Sequence, residues 1–267
     1  MRKDMKNSND NWKIYIVGHQ KLYDNMYSGD KLFSGEHYEI LNVGEKGQID
    51  NPLGLRQIDQ KTLPTFVSLG KWWTESEGIY NLWLDGRWRE LDYIGFIHYD
   101  LELRLDPRVK GIIRRSNITE RVQKYLDMHS KAHISFETHN FSGDYNQKIM
   151  ADVDRPNDQT GDGMNCYDYI LNDYNQFFGT NKTISELSNR GQINLCSCFL
   201  IDVEHFDEMM KWWNSVINSH RLEQFDTNHE YRIHGGLAER YFGVYLALNY
   251  DELCDLSLIH HYNDGIK

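Results

Sequence analysis

The sequence DYIGFIHYDLELRLDP occupies residues 92–107 and is the most informative stretch of the chain. Its first half is a continuous apolar run, which is typical of a strand covered on both faces in a parallel sheet. The run stops at Tyr99, and the acidic residues Asp100 and Glu102 follow at once. Open α/β sheets bind their ligands just beyond the carboxyl ends of their strands. We therefore expect a ligand site directly after this strand.

Asp100 and Glu102 are two residues apart, so their side chains can project to the same side of an extended chain. Divalent cations such as magnesium and manganese prefer oxygen ligands and keep positions for substrate phosphates. The pair is therefore predicted to hold manganese or magnesium, with Asp100 also counted as catalytic. The alternative is a solvated acidic surface, because Asp-x-Glu is common in acidic proteins.

Further apolar runs predict the other strands of the sheet, at residues 13–18, 38–43, 132–136 and 194–203. Helical periodicity and capping signals predict helices at residues 71–84, 117–129, 167–178, 205–217 and 236–248. A further capping box, formed by Thr183 and Glu186, predicts another helix start. This alternation favours one three-layer α/β domain with a mostly parallel central sheet over residues 13–267, preceded by a disordered tail at residues 1–12.

Two polar stretches, residues 44–64 and 139–165, fit no regular element and are rich in glycine, asparagine and aspartate. Loops of this length are either binding loops or solvated insertions. The four cysteines predict no disulfide framework, and reduced core thiols are the favoured interpretation over a zinc site. Cys196 and Cys198 are expected on one side of the strand at residues 194–203.

Composition limits the function. The chain has 267 residues, with 29 Lys and Arg against 40 Asp and Glu, a net charge of −11 that argues against a nucleic-acid partner. No apolar stretch approaches the roughly 20 residues that span a bilayer, and the first residues lack the apolar core of a signal peptide. We expect a cytoplasmic protein without a transmembrane segment, and peripheral contact with the inner face of a membrane stays open.

Three parts of the chain resemble, in order, a family of small bacterial and viral glycosyltransferases linked to capsular and lipopolysaccharide synthesis. The first is KIYIVGHQK, which is similar to that family's opening strand and His-Lys loop. The second combines the family's Glu-x4-Tyr-x2-Trp spacing with its Tyr-Ile-Gly-Leu-x-His-Tyr strand. The third is RIHGGLAERYF, which is similar to its Arg-x2-Gly-Phe-Leu-Ala-Glu-Arg-x-Phe helix start. These parts are residues 13–21, Glu75 with Tyr80 and Trp83, residues 93–99 and residues 232–242.

The resemblance implies a GT-A fold that binds nucleotide-diphospho-sugars. It implies transfer of a hexose from a nucleotide-sugar, here a UDP-sugar, to a hydroxyl of a glycan acceptor in surface polysaccharide or glycoconjugate synthesis. Two departures stand out: Asp100-Leu101-Glu102 replaces the Arg-Arg-Tyr of many members, and no close copy of Thr-Gly-Asp-Asn precedes Glu75. The Asp-x-Glu segment would supply the metal-binding feature that this fold commonly uses.

Four residues are predicted to bind the donor from the amino-terminal half of the chain. Gly18 and His19 end the first strand, where backbone and imidazole can approach a base or ribose; the alternative is a capped strand end with a solvated histidine. Tyr99 ends the strand at residues 93–99. Glu75 follows from the family register as a donor- or acceptor-pocket residue, against a plain role on a helix surface.

The carboxyl-terminal half supplies the remaining candidates. Gly235-Gly236 predicts a tight entry to a helix whose first turn carries Glu239, the candidate general base, and Arg240. In that first turn Glu239 could instead only complement the helix dipole. Arg232 and Arg240 could neutralise the leaving diphosphate or pair with neighbouring carboxylates. His260 is the candidate third metal ligand, as in some GT-A enzymes, against a role as a surface histidine.

Two other classes of function stay open. A metal-dependent hydrolase could use His98, Asp100, His260 and His261, although hydrolases of that kind usually carry an additional metal-binding cluster of histidines and aspartates. A non-catalytic sugar-binding module would need only aromatic stacking faces, which 7 tryptophans and 17 tyrosines could supply.

Overall fold

The computed structural model describes residues 11–19, 22, 36–45, 47–51, 54–70, 73–105, 118–129, 131–140, 166–224 and 233–260. For residues 102–105, 233, 259 and 260 it describes the backbone alone. The strands are β1 Trp12–Gly18, β2 Tyr38–Asn42, β3 Gln57–Asp59, β4 Tyr93–His98, β5 Leu101–Leu105, β6 His133–Ser135, β7 Thr138–Asn140, β8 Gln192–Asn194, β9 Phe199–Asp202, β10 Cys254–Asp255 and β11 Leu258–His260. The helices are α1 Glu75–Asp85, α2 Ile118–Met128, α3 Cys166–Phe178, α4 Ile184–Ser188, α5 Val203–Asn218 and α6 Ile233–Asn249.

Seven strands form a mixed, mostly parallel sheet in the order β10-β6-β9-β4-β1-β2-β3. β1 pairs in parallel with β2 on one side and with β4 on the other. β9 runs antiparallel to both of its neighbours, β4 and β6. The other strands of this sheet share one direction, so their carboxyl ends meet at one edge. Two small antiparallel sheets, β5 with β11 and β7 with β8, adjoin it.

Successive side chains of a strand point to opposite faces of the sheet. In the central sheet both faces are covered by apolar clusters. In β1, Ile14 and Ile16 belong to one apolar cluster, which also contains Val122 of α2. Tyr15 and Val17 belong to a second cluster, built with residues of α1, α3, α5 and α6. Burial on both sides explains why these strands are continuous apolar runs rather than alternating ones.

The strand predicted over residues 194–203 is wrong, because the chain turns in its middle. β8 ends at Asn194 and β9 begins at Phe199. Between them Cys196 and Ser197 have φ angles of +58° and +50°, a left-handed conformation that cannot continue an extended strand. Cys196 therefore lies in a turn and does not share a strand face with Cys198. As predicted, none of the four cysteines is in a disulfide; Cys166 and Cys198 are buried, whereas Cys196 and Cys254 are partly exposed.

Two further assignments differ from the sequence prediction. Trp12 belongs to β1 and is 1% exposed, with its indole Nε1 donating to Gln123, so β1 begins inside the stretch assigned to the tail. β3 lies inside the supposed irregular stretch at residues 44–64 and extends the sheet beyond β2. Of the second stretch, residues 141–165 lie outside the described residues.

The helix predictions hold to within two residues except at two starts. α1 begins at Glu75 rather than residue 71, and α6 begins at Ile233 rather than residue 236. The capping box of α4 is confirmed: Thr183 Oγ1 accepts from Glu186 N at 3.2 Å, and Thr183 N donates to Glu186 Oε2 at 2.8 Å. Asn117, the proposed cap of α2, is outside the described residues. Within the described part of the chain, no helix combines the length and apolar character needed to cross a bilayer.

A neutral histidine in the core makes folding sensitive to acid. His133 in β6 is 2% exposed, and burial lowers the pKa of its imidazole from 6.5 to about 3. Between pH 6.5 and pH 3 the imidazole binds a proton in the unfolded chain but not in the folded chain. The free energy of unfolding therefore falls as the pH falls below 6.5. The loss from this group is about 2 kcal/mol at pH 5.

We predict that His133→Phe removes this contribution while keeping an aromatic ring beside Tyr250. Urea unfolding at pH 7.5 and pH 5 measures the effect. The wild type should lose about 2 kcal/mol more than the variant between the two pH values. Equal losses would show that His133 is not kept neutral by burial.

Candidate functional site

The carboxyl ends of β1 and β2 are tied together by short polar contacts. Val43 N donates to Gly18 O at 2.9 Å, and Gly44 N donates to the buried Asn42 Oδ1 at 2.9 Å. A Cβ on Gly44 would lie 2.5 Å from the carbonyl oxygen of His19, so only glycine permits this approach. The result is a surface in which His19 is fixed against the loop that follows β2.

The end of β4 joins the same surface. Tyr99 N donates to Val17 O at 3.0 Å, and the Tyr99 ring meets the His19 ring edge-on with centroids 4.9 Å apart. A Cβ on Gly18 would lie 3.1 Å from Tyr99 Cβ. The structure therefore brings together Gly18, His19 and Tyr99, with Asp100 as the next residue.

The proposed metal ligands come together at the level of the backbone. β5 pairs antiparallel with β11, which places His260 opposite Leu101 and Ile259 opposite Glu102. The carboxyl-terminal strand therefore returns to the segment that carries Asp100 and Glu102. Among the described side chains, which exclude those of Glu102 and His260, no three His, Cys, Asp or Glu residues are grouped as metal ligands.

α1 and α6 start side by side. Thr74, just before α1, has φ +49° and ψ −130°, a strained conformation for a residue with a Cβ. A Cβ on Gly235 would collide with Thr74 Oγ1, so the two helix starts touch at this point. Glu75, the first residue of α1, is 6% exposed and lies next to this contact. One turn later, Gly78 lies against Val43, which follows β2.

Glu239 is not in the first turn of its helix, contrary to the sequence prediction. α6 begins at Ile233, so Glu239 is in the second turn, and a role as dipole partner of the helix start is excluded. Gly235, Glu239 and Gly243 follow one another at four-residue steps and so lie along one helix stripe. Gly235 contacts Thr74, and Gly243 lies against Asn194 O. Glu239 is partly buried between these two close contacts.

The structure describes only one of the two arginine candidates. Arg240 is 1% exposed, and its Nη1 donates to Gly236 O at 2.5 Å. At least part of its guanidinium is therefore hydrogen-bonded to a backbone carbonyl of its own helix. Like Glu239, it lies beyond the first turn in which the sequence placed it. Arg232 lies outside the described residues.

The sequence prediction missed a polar group at the end of β6. Glu137 follows this strand, and its Oε1 lies 2.9 Å from His139 Nε2. Asn194 Nδ2 joins this segment to the turn before β9 by donating to Ser135 Oγ at 2.7 Å and to Cys198 O at 2.6 Å. The only signal in the sequence is Glu-x-His directly after a short apolar run.

The same edge of the sheet carries Asp100 and Glu137 on either side of the turn before β9. Burial raises the pKa of the Cys198 thiol well above its usual value, and the nearby Cys196 thiol and the Glu137 and Asp100 carboxylates raise it further. Both carboxylates therefore lie within electrostatic reach of Cys198. The thiol donates to Cys196 O at 3.0 Å and is a buried, protonated group.

A surface cleft of about 510 Å³ lies elsewhere, between the end of α3 and the first half of α5. α5 follows Asp202, which pairs with Tyr93 at the start of β4, so the cleft is at the opposite edge of the sheet. Two of its carboxylates are engaged: Asp207 accepts from Trp83 Nε1 at 2.9 Å, and Glu208 accepts from Tyr245 OH at 2.5 Å. The candidate residues do not line this cleft.

No family model and no curated protein sequence matches this chain. Among solved structures, the fold is similar to that of the WbbM bifunctional glycosyltransferase in its apo structure, with a TM-score of 0.54 and 18% sequence identity. The match covers 94% of this chain and 45% of the WbbM chain, so this chain spans less than half the length of that protein. At this identity the likeness shows the fold: a mixed α/β fold found in a glycosyltransferase.

We predict that the contact between Thr74 and Gly235 decides whether Gly235→Ala stabilises or destabilises the protein. Gly235→Ala alone should destabilise the protein by about 1–3 kcal/mol, because the new Cβ overlaps Thr74 Oγ1. In a Thr74→Ala background the same change should stabilise it by up to about 1 kcal/mol, because alanine is the better helix former. Urea unfolding of the four variants measures the coupling, and additive effects would contradict the contact.

Proposed function

We propose that this chain is a glycosyltransferase with a GT-A-like three-layer α/β/α fold, which moves a sugar from a nucleotide-diphosphate donor, a UDP-sugar, to a hydroxyl of a glycan acceptor. The observation that carries the proposal is the convergence of Gly18, His19, Tyr99 and Asp100 at one carboxyl edge of the sheet. The fold likeness to a glycosyltransferase supports it. Cytoplasmic synthesis of a surface polysaccharide or glycoconjugate is the setting we propose for this activity.

The donor would bind across the ends of β1, β2 and β4. Gly18 has no side chain to block a base or ribose, and the fixed rings of His19 and Tyr99 offer stacking and hydrogen-bonding surfaces. Glu75 lies at the nearby start of α1. Arg232 and Arg240 are the proposed cations for the diphosphate, and any such role of Arg240 is from a buried position.

A divalent cation fits the residues that follow β4. Asp100 supplies carboxylate oxygens at a strand end, and the pairing of β5 with β11 brings the backbones of Glu102 and His260 to the same segment. Oxygen and imidazole ligands suit manganese, and carboxylates suit magnesium. Bound there, the ion would neutralise charge on the donor diphosphate. Asp100 would hold it together with Glu102 or with His260, whose positions in the β5–β11 register belong to opposite faces of this small sheet.

Glu239 is the proposed general base. The glycines on either side of it let α6 approach Thr74 and Asn194, so the helix presents Glu239 between α1 and the turn before β9. A carboxylate there would take the proton of the acceptor hydroxyl while the hydroxyl oxygen forms its bond to the sugar carbon of the donor. The bond from that carbon to the diphosphate breaks in the same step, and the diphosphate keeps the electron pair.

Donor hydrolysis is the direct test of the proposed function. The protein incubated with UDP- and GDP-sugars and manganese should release nucleotide diphosphate slowly without acceptor. Thermal unfolding with each donor checks binding separately. Neither release nor a thermal shift with any donor would contradict the proposal, and sugar binding without release would favour a non-catalytic module. Release of inorganic phosphate from simple phosphate esters instead would favour the hydrolase.

We predict that Asp100→Asn lowers donor turnover by at least about a hundredfold, because the leaving-group charge loses its metal-assisted neutralisation. EDTA should reduce wild-type turnover to a similar level without lowering the melting temperature. Asp92→Asn at the other end of β4 is the matched control and should remain active. Unchanged turnover of Asp100→Asn, with turnover also unaffected by EDTA, would show that Asp100 is only a solvated carboxylate.

Glu239→Gln should slow transfer to an acceptor by about two to four orders of magnitude and leave donor affinity within about twofold. The reason is that glutamine keeps the size of the side chain but cannot accept the proton. Glu252→Gln, the same change just beyond the other end of α6, serves as control. Wild-type transfer rates in Glu239→Gln would remove Glu239 from the reaction.

A further inference from the structure

Glu137 and His139 form a polar pair that the proposed mechanism does not use. The Glu137 side chain is 10% exposed, and its Oε1 lies 2.9 Å from Nε2 of His139, whose side chain is 26% exposed. Glu137 lies in the bend between β6 and β7, and its contact with His139 brings the two side chains together into one polar surface. Burying a carboxylate is costly, and the imidazole offsets part of that cost while remaining accessible to a ligand.

The pair is held on a rigid support. Glu137 O accepts from Leu195 N at 3.2 Å and from Asn194 Nδ2 at 3.4 Å. Thr138 N donates to Ser257 Oγ at 3.1 Å, and His139 itself is in β7, opposite Ile193 of β8. A side chain on a paired strand, next to one on a hydrogen-bonded bend, is suited to orient a ligand.

The sheet order places this pair beyond Asp100, on the side away from Gly18 and His19. β4 and β6 flank β9, and neighbouring strands are about 4.8 Å apart, so the ends of β4 and β6 are about 10 Å apart. Cys198, at the start of β9, lies within electrostatic reach of both Asp100 and Glu137. A donor with its nucleotide over β1 and its diphosphate near Asp100 would therefore extend its sugar toward Glu137.

The chemistry of the pair suits hydroxyl groups rather than phosphate. A carboxylate repels a phosphate but accepts hydrogen bonds from hydroxyls. In the neutral imidazole that donates Nε2–H to Glu137, Nδ1 of His139 is a hydrogen-bond acceptor. Among the residues that the structure describes, none hydrogen-bonds to that Nδ1. Both groups can thus receive hydrogen bonds from neighbouring hydroxyls of one ring.

We propose that Glu137 and His139 form a subsite for the hydroxyls of a sugar ring beyond the diphosphate. The subsite rests on the proposed function, and the sugar is either the one carried by the donor or the acceptor. Glu137 positions His139, and both contact the ring.

Three measurements on His139→Gln separate the sources of the sugar. The first is the affinity for UDP alone, which should stay within about twofold because the nucleotide lies over β1. The second is the KM of donor hydrolysis, which should rise about tenfold if the donor sugar binds here. The third is the affinity for methyl glucoside, galactoside and mannoside in the presence of UDP, measured by saturation-transfer NMR. This affinity should fall about tenfold if the acceptor binds here. Gln192→Ala, an exposed change on β8, should leave all three unchanged.

Glu137 provides a second variant series. Glu137→Gln keeps an oxygen that can accept from Nε2 and should retain more of the affected affinity than Glu137→Ala, while melting temperatures confirm that each variant folds. Either the KM or the NMR effect supports the subsite. Neither effect, or an equal loss of affinity for UDP alone, overturns it. Donor hydrolysis by the wild type continues to support the proposed function in that case, whereas its absence contradicts the proposed function itself.

Discussion

Parallel pairing of β1 with β2 and β4 is the constraint on which the candidate site depends. The hydrogen bonds from Val43 N to Gly18 O and from Tyr99 N to Val17 O continue the ladders past the strand ends. They bring residues widely separated in sequence to one edge, where backbone and side chains can serve a ligand. The sheet can form only because apolar residues on alternate positions of β1 are buried against helices on both faces.

Glycine then decides which side chains reach this edge. Gly44 lets the loop after β2 touch His19, and Gly235 and Gly243 let α6 lie against Thr74 and Asn194. Glu239 occupies the stripe between these last two contacts. The edge as a whole is electrostatically divided: backbone and rings dominate at β1, whereas Asp100 and Glu137 place carboxylates on either side of β9.

The sequence was sufficient for the strands whose faces are both buried, because an uninterrupted apolar run such as residues 93–99 has few alternatives. It failed at Cys196 and Ser197, because neither residue is a glycine that would indicate a left-handed turn. The apolar residues that follow from Phe199 made the segment look like one strand. It also misplaced the start of α6, since Gly235 is usually a helix breaker and here is required by contact with Thr74. The Glu137–His139 pair was missed because its meaning depends on the strand order, which brings β6 next to β9. The roles of all the candidate site residues stay predictions.

The most direct measurement of the central claim is a crystal structure of the protein soaked with UDP and manganese. The account predicts the nucleotide over Gly18 and His19, with the ion bound directly to a carboxylate oxygen of Asp100 and to the diphosphate. A nucleotide bound in the cleft beside α5, or an ion bound without Asp100, would contradict it.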